Sequence, residues 1–281
     1  MPTSALCWER WKSQRSEAAA NPFLMSDPGF PEDKKKFQLP PDTSIEAVVD
    51  DATPEQLAVV AADPRLNEDL ALALLKRRDL PREALEALSK NGRLVQQPKV
   101  RMALVTHPHT PRHVSFPVIR HLYAFELMQV ALLAGVAADV KRAAEEVLIG
   151  RLGTITSGER HTLAKRASGR VAAALLTDKE ERVMQAALLN PQMTEMFVVR
   201  SLKTDVGTEL LAPAVANHQT WIHRTEIKTA LLCNRNTPAA KLIQIASGVP
   251  MHVLRSLIHE VRLPQRAKQA VQEVMEKKAG G

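Results

Sequence analysis

A short motif that recurs along the chain constrains its fold more than any other feature. The four clearest copies begin at residues 73, 103, 187 and 230, and they read ALLKRRDLP, ALVTHPHTP, ALLNPQMTE and ALLCNRNTP. Ala and Leu favour helices, whereas Asn, Thr and Pro favour caps and turns, so each copy reads as a helix end, a tight loop and a new helix start. Recurrence of such a unit predicts an array in which each unit packs on its neighbours.

The composition supports a fold made of helices alone. Hydrophobic residues make up 45% of the 281-residue chain, yet aromatic residues make up only 4%. Small aliphatic side chains let helices approach closely, and runs of alternating β-branched residues are scarce. We therefore predict an all-α fold, a right-handed α-solenoid of stacked antiparallel helix pairs. The copies begin 30, 84 and 43 residues apart. The separation of 84 divides into two units of about 42, so the loose period of about 30 to 45 residues fits helix pairs of the armadillo or HEAT type.

The motif resembles the repeats of bacterial HEAT-like and leucine-rich-variant helical repeat proteins. In those repeats an Ala-Leu pair, an Asn-Pro-x-Thr-Pro loop and a following Leu recur along the chain. The match is best at residues 230–242, next best at 103–114, and looser at 60–67. The chain departs from the pattern at Thr194-Glu195, which has no proline, and at 140–180, which holds no clean copy. The resemblance implies a HEAT/armadillo-like superhelix and a binding scaffold rather than an enzyme, and it assigns no functional residue.

Two regions follow from the distribution of proline. Residues 1–42 are rich in proline and polar residues, which predicts an irregular N-terminal arm. In that arm Trp8 and Trp11 lie three residues apart, so they could cap the end of the array or contact a partner. Residues 43–281 are predicted to form the helical repeat domain, and Thr53 followed by proline is a typical helix start.

Charge is distributed unevenly along the chain and points to one basic cluster. The net charge is +7, but the first 51 residues carry six basic and nine acidic side chains, so the repeat domain is the basic part. The densest stretch, residues 151–170, contains Glu159 as its one acidic residue. The basic candidates there, with one histidine, are Arg151, Arg160, His161, Lys165, Arg166 and Arg170. Converging on one wall, they would form a groove for an anionic partner; the alternative is a solvated helix face.

A second candidate contact lies around the tryptophan of the repeat domain. Trp221 is followed closely by Arg224 and preceded by His218. An exposed indole beside a guanidinium could stack on a base or anchor a peptide. The alternative is that Trp221 packs between repeats.

Catalytic and cofactor motifs are missing from the sequence. It contains no G-x-S-x-G elbow, Walker loop or dinucleotide-binding glycine pattern, so we expect neither an enzyme nor a cofactor. His107, His109 and His113 are close together but have no cysteine beside them, and we expect no metal site. His107 occupies, within one residue, the loop position of the asparagine in other copies. Cys233 precedes such a loop, and we expect it to be buried.

The remaining features concern compartment and partners. The two cysteines imply no disulfide framework, the first twenty residues lack a signal-peptide pattern, and the longest apolar run, 130–138, is too short to span a bilayer. We therefore expect a cytoplasmic protein that binds a protein partner through the concave face of its array. Two alternatives stay open. The chain could bind nucleic acid through the basic cluster, in the manner of a HEAT-like DNA-repair glycosylase, or be a subunit of a larger assembly whose arm contacts a neighbouring subunit.

Overall fold

Helices account for all the regular secondary structure of residues 53–204, 207 and 209–279, which are the residues described by the structure, a computed structural model. The first nine α-helices are α1 (Pro54–Ala61), α2 (Glu68–Lys76), α3 (Arg82–Lys90), α4 (Gly92–Val95), α5 (Pro98–Thr106), α6 (Arg112–Ile119), α7 (Ala124–Leu132), α8 (Ala138–Arg151) and α9 (Ser157–Arg166). The others are α10 (Gly169–Ala174), α11 (Glu181–Leu188), α12 (Glu195–Leu202), α13 (Leu211–Asn217), α14 (Thr225–Cys233), α15 (Ala239–Ser247), α16 (Met251–Leu257) and α17 (Gln265–Ala279). Two 3-10 turns, Leu175–Thr177 and Trp221–His223, precede α11 and α14. The prediction of an all-α chain is confirmed for these residues.

Polar caps fix where several helices begin. The backbone N–H of Thr53 donates to the Gln56 side-chain oxygen at 3.0 Å, and Pro54 occupies the first position of α1, where no backbone donor is needed. The side-chain oxygen of Asn67 accepts from the Leu70 N–H at 2.8 Å and caps α2. The helix start predicted from Thr53 and its following proline is therefore confirmed.

Contacts between helices follow an alternating order. The helices α1, α3, α6, α8, α10, α12 and α14 form one continuous series in which each member packs on the next. Between them, α2 packs on α5, α5 on α7, α9 on α11, and α15 on α17. Cross-contacts such as α5 with α6, α7 with α8 and α14 with α15 join helices that are consecutive in sequence. Each helix therefore buries its apolar face mainly against neighbours that lie close to it along the chain.

The core that these contacts enclose is aliphatic. The central leucines of three motif copies, Leu74, Leu104 and Leu231, have no solvent exposure. Small residues such as Ala84 and Ala172 are also fully buried and allow the close approach of neighbouring helices. A fully buried leucine contributes about 1.5–3 kcal/mol to folding, so the motif leucines are a main source of stability.

A break at residues 167–168 separates α9 from α10. Helix α9 ends at Arg166, and α10 begins at Gly169 after two extended residues. At Gly169 a Cβ atom would lie 2.3 Å from the Gln192 carbonyl oxygen, so the backbone of the α11–α12 loop packs directly on the break. The short helix α4 begins directly after Asn91, whose side chain accepts from the N–H of Leu94 at 3.4 Å.

Some sequence-based predictions fall outside the described residues. They concern the arm at residues 1–42, its pair Trp8 and Trp11, and Cys7. Among the described residues, no helix combines the length and apolar character needed to cross a membrane.

Candidate binding surface

Polar side chains at helix ends link segments that are about 30 residues apart. After α14, the Asn234 side-chain oxygen accepts from the Asn236 N–H at 2.8 Å and closes the loop. Its amide nitrogen donates to the Leu202 carbonyl, the last residue of α12, at 2.6 Å. Asn234 is 8% exposed. One buried side chain therefore shapes its own loop and satisfies a free carbonyl of an earlier helix.

Asn190 repeats this arrangement after α11. Its side-chain oxygen accepts from the Gln192 N–H at 2.7 Å, and its amide nitrogen donates to the carbonyls of Ala164 and Ala167 at 2.8 and 3.0 Å. Both carbonyls lie at the end of α9. The motif asparagine at positions 190 and 234 thus bonds the end of a helix that lies 23 to 32 residues earlier in the chain.

His107 performs the same role with an imidazole. Its Nδ1 accepts from the His109 N–H at 3.3 Å, so Nε2 carries the proton and donates to the Arg77 carbonyl at 2.9 Å. Burial lowers the pKa of His107, against a smaller raising effect of the Arg77 carbonyl. His113 instead contacts Glu86 at 3.1 Å. No three His, Cys, Asp or Glu side chains in the described part of the chain are grouped as metal ligands.

The structural register corrects the interpretation of one motif copy. Aligned on the polar residue that follows each helix, Leu189 corresponds to Thr106 and Cys233, not to the second buried leucine. Leu189 is 70% exposed, whereas Leu188 before it is buried. Leu189 therefore does not pack in the core as Leu75 does, because the copy at 187 is shifted by one residue relative to its loop asparagine.

Two arginines of the basic cluster bind other parts of the chain. The Arg151 guanidinium donates to the Leu122 carbonyl at 2.8 Å and also to the Arg120 carbonyl, both beyond the end of α6. Arg160 pairs with Asp178 at 2.8 Å and with Glu180 at 3.2 Å, and its side chain is 18% exposed. The acidic partners lie outside the 151–170 window, so the charge of that window overstates the charge of the surface.

The other members of the cluster differ in exposure. Arg170 pairs with Glu146 at 3.1 Å and lies 3.7 Å from Glu145. His161 is partly buried, and its Nδ1 atom is buried without a hydrogen-bond partner. Lys165 and Arg166, at the end of α9, are exposed, and their side chains form no ion pair within the described residues. Of the five cations in the predicted cluster, two are therefore ion-paired within the described residues and one bonds backbone carbonyls, while Lys165 and Arg166 remain exposed without either kind of contact.

Trp221 joins two distant segments of the chain through its indole. Its Nε1 donates to the Leu188 carbonyl at 3.2 Å, 33 residues earlier, and the side chain packs against the buried core while remaining partly exposed. The imidazole of His218 lies 6.3 Å from the indole, centroid to centroid, and burial lowers the pKa of His218. Exposed Arg224 lies 3.4 Å from Glu195. The contacts of Trp221 match the inter-repeat packing that the sequence left open as an alternative.

A groove that the sequence did not reveal lies between α11 and α13. Its volume is about 470 Å³, and Leu189 and Leu210, which are 70% and 40% exposed, contribute to its lining. Two glutamates, Glu181 and Glu209, also line it, and none of its described lining residues is Lys or Arg. We call it the acidic groove. An alignment of the motif copies on Asn190 places Leu189 where other copies have Thr106 and Cys233. This mismatch is the sequence signal that could have identified Leu189 as a surface residue.

A second cavity surrounds the thiol of Cys233. Its volume is about 590 Å³, and it is lined by Lys203, Arg235 and Arg262 together with Glu260. The Cys233 thiol donates to a Glu260 carboxylate oxygen at 3.5 Å. Burial, with a further contribution from Glu260, raises the pKa of Cys233 to about 11. The thiol is therefore protonated at neutral pH and is a weak nucleophile.

Comparison with known proteins adds no relative. No protein-family model matches the sequence, and neither the curated proteins nor the solved structures include a match to the chain.

Proposed function

We propose that residues 43–281 form a right-handed α-solenoid of HEAT/armadillo type that binds a protein partner and catalyses no reaction. The observation that carries this proposal is the set of side-chain bonds from Asn234, Asn190 and His107 to helix ends 26 to 32 residues earlier. These bonds repeat one kind of contact at similar spacings of 26, 30 and 32 residues, as expected for a stacked array. The unbroken contact series from α1 to α14 supports the same arrangement.

A binding role for a protein partner is supported by the chemistry of the surface. The described residues offer the acidic groove, whose lining includes exposed leucines, and two arginines of the predicted basic cluster are paired with carboxylates. Apolar grooves flanked by polar residues are typical protein-contact sites. Because Lys165 and Arg166 are exposed and unpaired within the described residues, binding of nucleic acid stays a prediction. A role of residues 1–42 in a larger assembly also stays a prediction.

The array geometry can be tested by distances between spin labels. One label replaces Glu55 in α1, and the second lies in α6, α10 or α14, in a background where both cysteines are serine. Neighbouring helix axes are about 8–10 Å apart. The six steps from α1 to α14 therefore predict a distance of about 50–60 Å between labels in those two helices, with shorter distances from α1 to α6 and α10. A distance that does not grow from α6 to α14 would contradict the solenoid.

The partner class can be tested by affinity purification from cells that naturally make the chain, before and after nuclease treatment. A stoichiometric protein that remains bound after nuclease supports the proposal. Recovery of nucleic acid alone, with binding to duplex DNA that weakens steeply with salt, would support the alternative and contradict a protein partner.

A further inference from the structure

Two helix faces form the walls of the acidic groove. Helix α11 and its end contribute Glu181, Gln185, Leu188 and Leu189. These positions lie at spacings of three, four, seven and eight residues, which places them on one face of a helix. The second wall has the same spacing, from Leu210 through Pro213 and Ala214 to Asn217 and His218.

The length of the two walls defines the size of an occupant. Each wall covers about two helical turns, or about 11 Å along the helix axis. A cleft between two helix faces is the usual receptor for a third, amphipathic helix, which inserts apolar side chains at three- and four-residue spacing. The volume of about 470 Å³ accommodates a few aliphatic side chains of such a helix.

The charge of the residues that line the groove favours some amphipathic helices over others. Glu181 and Glu209 each precede the apolar residues of their own wall along the chain. Both are exposed, and neither forms an ion pair within the described residues. In a chain with 38 Lys and Arg side chains, a groove lined by two carboxylates and no described cation favours a positively charged occupant.

We propose that the acidic groove binds an amphipathic helix of a partner protein, with leucine-like anchors beside Leu189 and Leu210 and Lys or Arg residues beside Glu181 and Glu209. This proposal rests on the proposed function, since it names the chemistry of the partner. Leu189 is the main contact, because its side chain is already on the surface and loses solvent on binding.

The test uses the full chain and a fluorescein-labelled helical peptide of about 14 residues. The peptide carries four leucines on one face and three lysines at one end. One matched peptide replaces the lysines by glutamates, and another replaces the leucines by serines. Binding is measured by fluorescence anisotropy at physiological salt.

The expected result is that the Lys–Leu peptide binds the wild-type chain and both matched peptides bind at least about tenfold more weakly. Leu189→Asp should weaken Lys–Leu binding by at least about tenfold. The control Met196→Asp, at a side chain that is 77% exposed outside the groove, should leave binding unchanged. Unfolding of each variant, followed by circular dichroism, checks that the chain remains folded.

A charge exchange gives a second, independent readout. The double variant Glu181→Lys with Glu209→Lys should prefer the Glu–Leu peptide to the Lys–Leu peptide. The control Glu276→Lys on α17 should keep the wild-type preference.

Three results would overturn the proposal. They are equal effects of Leu189→Asp and Met196→Asp, an unchanged peptide preference after the charge exchange, and a change from dimer to monomer caused by Leu189→Asp, which would make the groove a contact between copies of the chain. If the groove variants still recover the natural protein partner, this assignment fails while the proposed function stands.

Discussion

The side-chain amide of Asn234 donates to the backbone carbonyl of Leu202 at 2.6 Å, across 32 residues of sequence. The amide supplies a donor to the carbonyl at the end of α12, because the last carbonyls of a helix have no hydrogen-bond partner within that helix. The same side chain holds its own loop closed through the N–H of Asn236. A single side chain at the end of the motif copy therefore closes its own loop and bonds the end of a helix 32 residues earlier.

Replacing Asn234 by Ala should lower the free energy of unfolding by about 2 kcal/mol, because a buried carbonyl and a loop N–H lose their partners. Chemical denaturation of the purified protein measures this change. Asn217→Ala is the matched control, since among the described residues the exposed Asn217 side chain bonds only the Pro213 carbonyl, four residues earlier. Equal effects of the two substitutions would show that the inter-repeat bond adds little stability.

The stability of the chain should fall as the pH is lowered from 7.5 to 5. Burial lowers the pKa of His107 in the folded state, so the unfolded chain binds a proton at higher pH and acid favours unfolding. The contribution is complete above the ordinary histidine pKa of about 6.5 and is lost progressively below it. Denaturant midpoints measured across this range test the trend.

His107→Asn should reduce this pH dependence while preserving the fold, because asparagine makes the equivalent contacts at position 190. The pKa of His218 is also lowered by burial, so part of the dependence should remain. His121→Asn, at an exposed histidine, is the control. A pH dependence that is unchanged in His107→Asn would contradict the neutral, buried imidazole.

Gly169→Ala should destabilise the chain by about 1–3 kcal/mol, since the new methyl group would overlap the Gln192 carbonyl oxygen and move the α11–α12 loop. Gly150→Ala is the matched control. Gly150 lies in α8 with no atom within 4 Å of an added Cβ, so alanine should stabilise the helix by up to about 1 kcal/mol. Opposite signs in thermal unfolding are expected, and a neutral Gly169→Ala would contradict the close packing.

Arg160→Met should cost about 3 kcal/mol of stability, because it leaves Asp178, whose side chain is 9% exposed, without its cation. Lys165→Met, five residues further along α9, should change stability by less than about 0.5 kcal/mol. Urea unfolding of the two variants distinguishes a structural arginine from a surface lysine. A negligible effect of Arg160→Met would restore Arg160 as a candidate partner contact.

The thiol of Cys233 should react slowly with Ellman's reagent at pH 8. With a pKa of about 11, its thiolate fraction is about a hundredfold below that of an ordinary cysteine. The measurement uses a Cys7→Ser variant so that one thiol is observed, and the same sample in denaturant gives the unperturbed rate. Glu260→Gln should accelerate the native reaction, and rapid native labelling without that substitution would contradict the raised pKa.

Much of the local structure could be predicted from the sequence. Thr53, followed by proline, predicts the start of α1, because the residue preferences of a helix cap and first turn act over a few residues. The motif likewise places His107 and Asn234 at the same kind of helix end. Such predictions succeed because the backbone groups that need partners lie within a few residues of the side chains that satisfy them.

The candidate surface could not be predicted in the same way. Arg160 and Arg170 count as positive charge within their own segment, yet their carboxylate partners come from other segments of the chain. Leu189 looks like a core leucine until its register relative to Asn190 is known.

The sequence by itself determined that the chain is helical and that a capped helix–loop–helix unit recurs, since helix propensity and capping are local. Only the tertiary structure decided which arginines are paired, that Trp221 donates to a distant carbonyl, and that Leu189 lines a groove with two glutamates. Those outcomes depend on which segments meet in space, and the hydrogen bond from Asn234 to Leu202 joins groups whose meeting no local preference specifies.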